Sequence, residues 1–157
     1  MKKLLILLFA VAAQTMVSQG HEQKNKLDFH NKSNGVQHFN FENLPRDTIS
    51  EGITRQWFYA GKGQMAYFHL EKGAHIPMHK HPNEQITYIL KGKVRIKTFL
   101  DGEPKDFIVG AGEVIVFPEN VPHEFYALEK TLDLDVHIPV REDWLSNELP
   151  QYLRKSN

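Results

Sequence analysis

Short runs of apolar or alternating residues, each closed by glycine, proline or a polar turn, follow one another between residues 53 and 138. Residues 53–59 carry β-branched and aromatic side chains and stop at Gly61-Lys62-Gly63, and the apolar run 65–70 stops at Glu71-Lys72-Gly73. Residues 85–90 run into Lys91-Gly92. Val94, Ile96 and Thr98 then alternate with Arg95, Lys97 and Phe99, the period-two pattern of a half-buried strand. Asp101-Gly102 is a hairpin turn signal. Residues 107–109 and 114–117 flank Gly110-Ala111-Gly112, and residues 123–128 and 132–138 complete the series. Strands at spacings of roughly ten residues with Gly and Pro turns predict an all-β sandwich or barrel. Residues 144–153 are expected to form a short C-terminal helix interrupted by Pro150, and a short strand is expected near residues 38–41.

The chain has 157 residues, enough for one domain with a hydrophobic core. Its first twenty residues read as a secretory signal peptide: Lys2 and Lys3 precede an apolar stretch, and Ser18-Gln19-Gly20 offers small residues for cleavage. The apolar stretch is shorter than the roughly 20 residues of a membrane span. Residues 21–40 form a polar arm, and residues 41–157 form the barrel domain. Export to the periplasm or the outside is therefore expected, with no membrane association after cleavage. Removing Lys2 and Lys3 takes the formal charge from 0 to −2, which favours neither nucleic acid nor an anionic membrane as a partner. The absence of cysteine excludes thiol chemistry and Cys-ligated zinc.

The candidate chemistry begins at His79-Lys80-His81. On an extended segment both imidazoles point the same way, and with an amide or carboxylate a few residues on they form half of a metal site. Glu84 and Gln85 face opposite sides of a strand, and by register Gln85 is the one directed at the metal. His123, 42 residues after His81, is the further ligand. His69 and His75 also lie nearby in sequence, and His75, at the turn before the motif, is read as a non-ligand. Three imidazoles and an amide suit one divalent ion (Zn, Ni, Fe, Mn or Co) and leave it with its full positive charge.

These residues resemble the two motifs of the cupin superfamily. Gly73, His79, His81, position 85 and Gly92 fall in the register of the first motif, and Gly112, Pro118 and His123 in that of the second. Gln85 stands where the family usually has an acid, Asn120 where it has Gly, and Ala127 where it has Asn. The resemblance implies a single-domain cupin, a jelly-roll barrel (double-stranded β-helix), and a homodimer paired through strand edges.

Residues 132–144 form a second cluster. Leu132, Leu134, Val136 and Ile138 occupy one strand face, and Asp133, Asp135 and His137 the other. By composition alone, the polar face belongs in solvent. The pattern Asp135-x-His137-x-Pro139-x-Arg141-x-Asp143 is similar to the pectin-degradation cupins of the KdgF type, which open the ring of 4,5-unsaturated uronates released by polysaccharide lyases. That resemblance implies Asp135 as catalytic acid and Arg141 as the arginine that binds the substrate carboxylate. His137 stands where that group has Phe, and is either a second proton-transfer group or a pocket wall. Arg55 is a second carboxylate-binding candidate, and Trp57 and Tyr88 are candidate walls against a sugar ring. The expected ligand is a small anionic sugar acid. Two other readings stay open at the level of sequence: a different cupin enzyme, such as a dioxygenase or a lyase acting on a small acid, and a non-catalytic sugar- or metal-binding cupin.

Overall fold

The computed structural model describes residues 35–146 and Tyr152. The expected signal peptide, residues 21–34 of the arm and most of the chain after residue 146 lie outside the described residues. The strands are β1 (Asp47–Ser50), β2 (Ile53–Tyr59), β3 (Gln64–Leu70), β4 (His75–His79), β5 (Glu84–Lys91), β6 (Lys93–Leu100), β7 (Glu103–Gly110), β8 (Val114–Phe117), β9 (His123–Ala127) and β10 (Thr131–Ile138), followed by one helical turn, α1 (Glu142–Leu145). They form a six-stranded sheet in the order β1-β2-β3-β10-β5-β8 and a four-stranded sheet in the order β4-β9-β6-β7. All eight strand pairings among the described residues are antiparallel, the arrangement of a jelly roll.

Two strands and one turn differ from expectation, each for a local reason. β1 carries one buried apolar residue, Ile49, so it has no period to read. β4 contains Pro77 and a register shift between Ile76 and His79, both tolerated because it is an edge strand. The strand expected near residues 38–41 is replaced by a 3-10 turn over Phe41–Asn43, because the Asn40 side chain accepts from Glu42 N at 2.9 Å. Glycine is required at position 92, between β5 and β6. There φ is +84°, and a Cβ would come within 2.4 Å of Lys130 O.

The register of the six-stranded sheet lays its inward residues in rows. Gln64, His137, Gln85 and Phe117 form one row across β3, β10, β5 and β8. The next holds Ala66, Asp135, Thr87 and Ile115, and the next Arg55, Phe68, Asp133 and Ile89 across β2, β3, β10 and β5. Beyond them lie Ile53, Leu70 and Thr131. The polar character therefore grades along the barrel from a row of amides and imidazole to an apolar end. Val94, Ile96, Phe125 and Ala127 of the four-stranded sheet join the same buried cluster. Each fully buried side chain of that size stabilises the fold by about 1.5–3 kcal/mol, which offsets the cost of enclosing charges among them.

β10 inverts the naive alternation. Asp133 is 2 %, Asp135 7 % and His137 1 % exposed, while Leu132, Leu134 and Val136 are only half-buried on the outside. The polar face is the inner one, so the solvent-facing reading of that face is overturned. The outer face is apolar because it sits mid-sheet, with Leu134 paired to Tyr67 on one side and Tyr88 on the other. Tyr88 is thus an outer-face residue, 37 % exposed, and not the pocket wall expected of it. It shares the parity of Glu84, which is likewise exposed, while Gln85, Thr87 and Ile89 point inward.

Candidate metal centre and cavity

β4 and β9 pair at His79 and His123, and the turn after β4 brings in His81. The three rings offer one nitrogen each, all within 4.8 Å of one another. His79 Nδ1 donates to Pro77 O and His123 Nδ1 to Val121 O, both at 2.8 Å. Those bonds put the protons on Nδ1 and leave Nε2 of both rings as lone-pair donors aimed at a common point. His123 Nε2 is buried with no hydrogen-bond partner in the protein, as a metal-ligating nitrogen is before its ion is counted. Burial lowers His79 and His81 to about 4 and His123 to about 3, so all three are neutral near pH 7. The donor set fits a divalent metal ion.

Gln85 borders this cluster, and its amide can be oriented by the network around it. Gln64 Oε1 accepts from Arg141 N at 2.7 Å, so Gln64 Nε2 faces His137 Nδ1 at 3.5 Å. His137 then carries its proton on Nε2 and donates to Gln85 Oε1 at 3.1 Å. On the other end, Gln85 Nε2 donates to Thr87 Oγ1 at 2.9 Å, and Thr87 Oγ1 donates to Asp135 Oδ1 at 2.5 Å. Both ends agree on one orientation. Gln85 Oε1 looks toward the histidines, 3.0 Å from His81 Nε2, and Glu84 points away into solvent.

The cavity beside the cluster encloses about 490 Å³ of space not filled by protein atoms, part of it continuous with solvent, and His79, Gln85, Asp135, His137 and Arg141 all line it. Asp135 is pushed up to about 6 by burial, against the bonds from Thr87 and Gln85 and the nearby Arg141. Asp133, two residues away on the same face, is raised well above the ordinary carboxyl range by burial and by Asp135. Burial holds His137 well below the ordinary imidazole range. This neutral imidazole acts on Gln85 and forms cavity wall.

Arg141, 2 % exposed, donates from Nε and Nη2 to Asp143 at 3.0 and 2.6 Å. Two of its five donors are committed in this way, and the fork is fixed in place. Asn83 Nδ2 donates to Pro139 O at 2.7 Å, tying the turn that carries the metal motif to the segment that carries Arg141. Arg55, 8 % exposed, lines the same cavity, with its guanidinium 4.0 Å over the Trp144 ring and Nη2 3.4 Å from Asp47 Oδ2. Trp57 stands behind this layer, edge-on to Trp144 with ring centroids 5.4 Å apart and Nε1 on Asp47, and is not a wall residue. Tyr152, which sequence reasoning missed, stacks on His79 with centroids 4.0 Å apart and hydrogen-bonds Arg141. His75 lies outside the cluster, bonded to Glu124 and stacked on Tyr126, and His69 bonds Gln56.

The family model of the cupin domain matches residues 66–137, the span that runs from β3 through both histidine motifs to His137. That span is similar to the cupin domain, and the two-sheet jelly roll around it is the cupin fold. Among solved structures, KdgF from Halomonas sp. superposes with a TM-score of 0.62 at 23% identity, covering 70% of this chain and 99% of that one. An RmlC-like cupin from Shewanella frigidimarina gives 0.61 at 26% identity over 69% and 96% of the two chains. Oxalate decarboxylase from Bacillus subtilis, described with Mn(II) centres, gives 0.61 at 22% identity, covering 67% of this chain and 30% of that one. A curated relative, 3-hydroxyanthranilate 3,4-dioxygenase of Nematostella vectensis, is 29% identical over 84 residues; the match spans 54% of this chain and 27% of the relative. These cupins include enzymes, and the three-histidine centre described above fits a metal-dependent one. The departure at Asn120 has a local explanation: its φ is +62°, the left-handed region where Asn is the usual substitute for Gly.

Proposed function

We propose that this cupin isomerises 4,5-unsaturated uronates, opening the pyranose ring in a metal-dependent reaction. One observation carries the reading. A buried carboxyl, Asp135, lies in the cavity wall, linked through Thr87 to the amide that borders three metal-ready imidazoles, with Arg141 in the same cavity. The likeness to KdgF supports the same reading.

His79, His81 and His123 would hold the divalent ion, with Gln85 Oε1 as fourth ligand, and the ion supplies a Lewis acid toward substrate oxygens. Arg141 binds the substrate carboxylate with the donors that Asp143 and Tyr152 do not use. Asp135, raised to about 6, is ionised near pH 7 yet close enough to that pH to be protonated in turn. As a base it accepts the proton of the anomeric hydroxyl while the bond from C1 to the ring oxygen breaks and C1 becomes an aldehyde. As an acid it returns the proton to C4 as the resulting enolate becomes the C5 ketone. Atoms balance without water or oxidant. His137 and Thr87 orient the Gln85 amide throughout.

The apolar outer face of β10, β5 and β8, with Val114 and Val116 at least half exposed, supports self-association as a dimer. The test of function is a screen of unsaturated monouronates from pectin, alginate and glycosaminoglycan lyases with a panel of divalent metals. Loss of the conjugated chromophore with at least one pair is expected. Oxygen uptake with a small aromatic acid and no reaction with any uronate would favour a dioxygenase instead, the activity in the name of the curated relative.

A further inference from the structure

Tyr152 lines the cavity, yet the mechanism above gives it no task. It touches both working ends of the site. Its ring stacks on the imidazole of His79, with centroids 4.0 Å apart and an interplanar angle of 16°. Its hydroxyl hydrogen-bonds the Arg141 guanidinium. An arginine has donors and no acceptor, so in that bond the phenol oxygen accepts. The hydroxyl proton is thereby left for a different acceptor, next to the group that holds the ligand's carboxylate. A phenol keeps that proton near pH 7, and burial strengthens its hold. Arg55 lines the same cavity and lies close enough to the phenol to act on it electrostatically. With two guanidinium groups beside the hydroxyl, the acceptor that suits this corner is an anion.

We infer that Tyr152 is a second carboxylate-binding residue, its hydroxyl donating to the ligand's carboxylate beside the donors of Arg141. The inference rests on the reading above that Arg141 holds that carboxylate. The donors add up. Of the five N–H groups of Arg141, two go to Asp143 and one to the Tyr152 oxygen, which leaves two. Those two and the Tyr152 hydroxyl make three donors, and a carboxylate accepts about four bonds. The bonds also run head to tail, from Arg141 to the phenol oxygen and from the phenol to the carboxylate. Each such bond polarises the next and strengthens it. The stack on His79 fixes the plane of the phenol from the metal side. Tyr152 therefore sets where the carboxylate lies relative to the metal centre, and with it where the reacting carbons meet Asp135.

The test uses the full metal-loaded chain and calorimetric titration with galacturonate, which has no 4,5 double bond to react. Tyr152→Phe keeps the ring on His79 and removes only the hydroxyl. Galacturonate is expected to bind this variant about tenfold more weakly, the effect of one lost hydrogen bond to a charged acceptor. Metal affinity stays within about threefold of wild type, which reports that the fold and the histidines are intact. With an unsaturated uronate, KM rises about tenfold and kcat changes by less than about threefold. A double-mutant cycle separates direct contact from support of Arg141: in an Arg141→Lys background, Tyr152→Phe still weakens galacturonate by about threefold or more. Unchanged galacturonate affinity in Tyr152→Phe overturns the inference. So does an equal fall in metal affinity, which would mark a packing role, and so does no further loss in the Arg141→Lys background, which would make Tyr152 only a prop for the guanidinium. If wild type turns over an unsaturated uronate while these results fail, only the role of Tyr152 falls. If galacturonate binding depends on Tyr152 but no unsaturated uronate reacts, the ring-opening reading falls and the carboxylate site stands; if wild type binds no uronate, both fall.

Discussion

Asp135 stands one hydroxyl away from Gln85: Thr87 Oγ1 accepts from the Gln85 amide at 2.9 Å and donates to the Asp135 carboxyl at 2.5 Å. The link makes the identity of residue 85 part of the chemistry. A carboxylate there would have no proton to give Thr87, and its charge would sit one hydroxyl from a second acid. In Gln85→Glu we expect tighter metal binding, because an anionic oxygen faces the ion, together with lower activity and an activity limb moved to higher pH, because Asp135 gains a negative neighbour. Metal titration and a pH–rate profile check both.

Removing the acid itself separates chemistry from binding. Asp135→Asn and Asp135→Ala are expected to lose about 10²–10⁴-fold in kcat, the usual contribution of a positioned acid or base, while metal affinity changes little. Single-turnover assays with an unsaturated uronate, beside metal titration, measure the split. Full activity in either variant removes Asp135 from the mechanism.

Arg141 gives a distinct signature. Its fork is fixed by Asp143 and by Gln64 on its backbone, so Arg141→Lys retains charge but not the planar donor set. KM is expected to rise about tenfold or more with a smaller change in kcat. Steady-state kinetics on the variant decide it.

The buried ionisable groups also set how the metal-free protein responds to pH. His79 and His81 near 4 and His123 near 3, against an ordinary 6.5, contribute stability that is present above about pH 6.5 and lost as pH falls through those values. His137 acts in the same direction. Asp135, raised to about 6, works the other way: its contribution is present below the ordinary carboxyl value and lost as pH rises through about 6. Asp133 joins it. Four imidazoles against two carboxyls predict that the chelated protein grows more stable between about pH 4 and about pH 6.5, and that Asp135→Asn makes the rise steeper. Thermal melting of chelated samples across that range measures it; a fall in melting temperature over the range contradicts the burial of the histidines.

Much of this was legible in the sequence, and the rest was hidden for identifiable reasons. Strands such as Ile53–Tyr59 and Val114–Phe117 follow from apolar runs bounded by Gly and Pro. The metal ligands follow from the His79–His81 spacing and the register of His123. Alternation, however, defines two faces of a strand without saying which is inside. By composition alone the face of Asp133, Asp135 and His137 therefore read as solvent-facing, and Tyr88 read as a wall; burial reversed both. The supporting residues were harder still. Gln64 meets Arg141 across 77 positions and Thr87 meets Asp135 across 48, contacts that only the sheet register creates. The one local sign of Gln64 is a lone amide at the head of an apolar run.

The most direct test of the account is the reaction of an unsaturated monouronate with metal-loaded protein in deuterated water, followed by NMR. We predict loss of the C4 vinyl proton, appearance of an open-chain C5 ketone with solvent-derived deuterium at C4, and no reaction in chelated samples. Unsaturated uronates that remain unchanged with every divalent metal offered would contradict it.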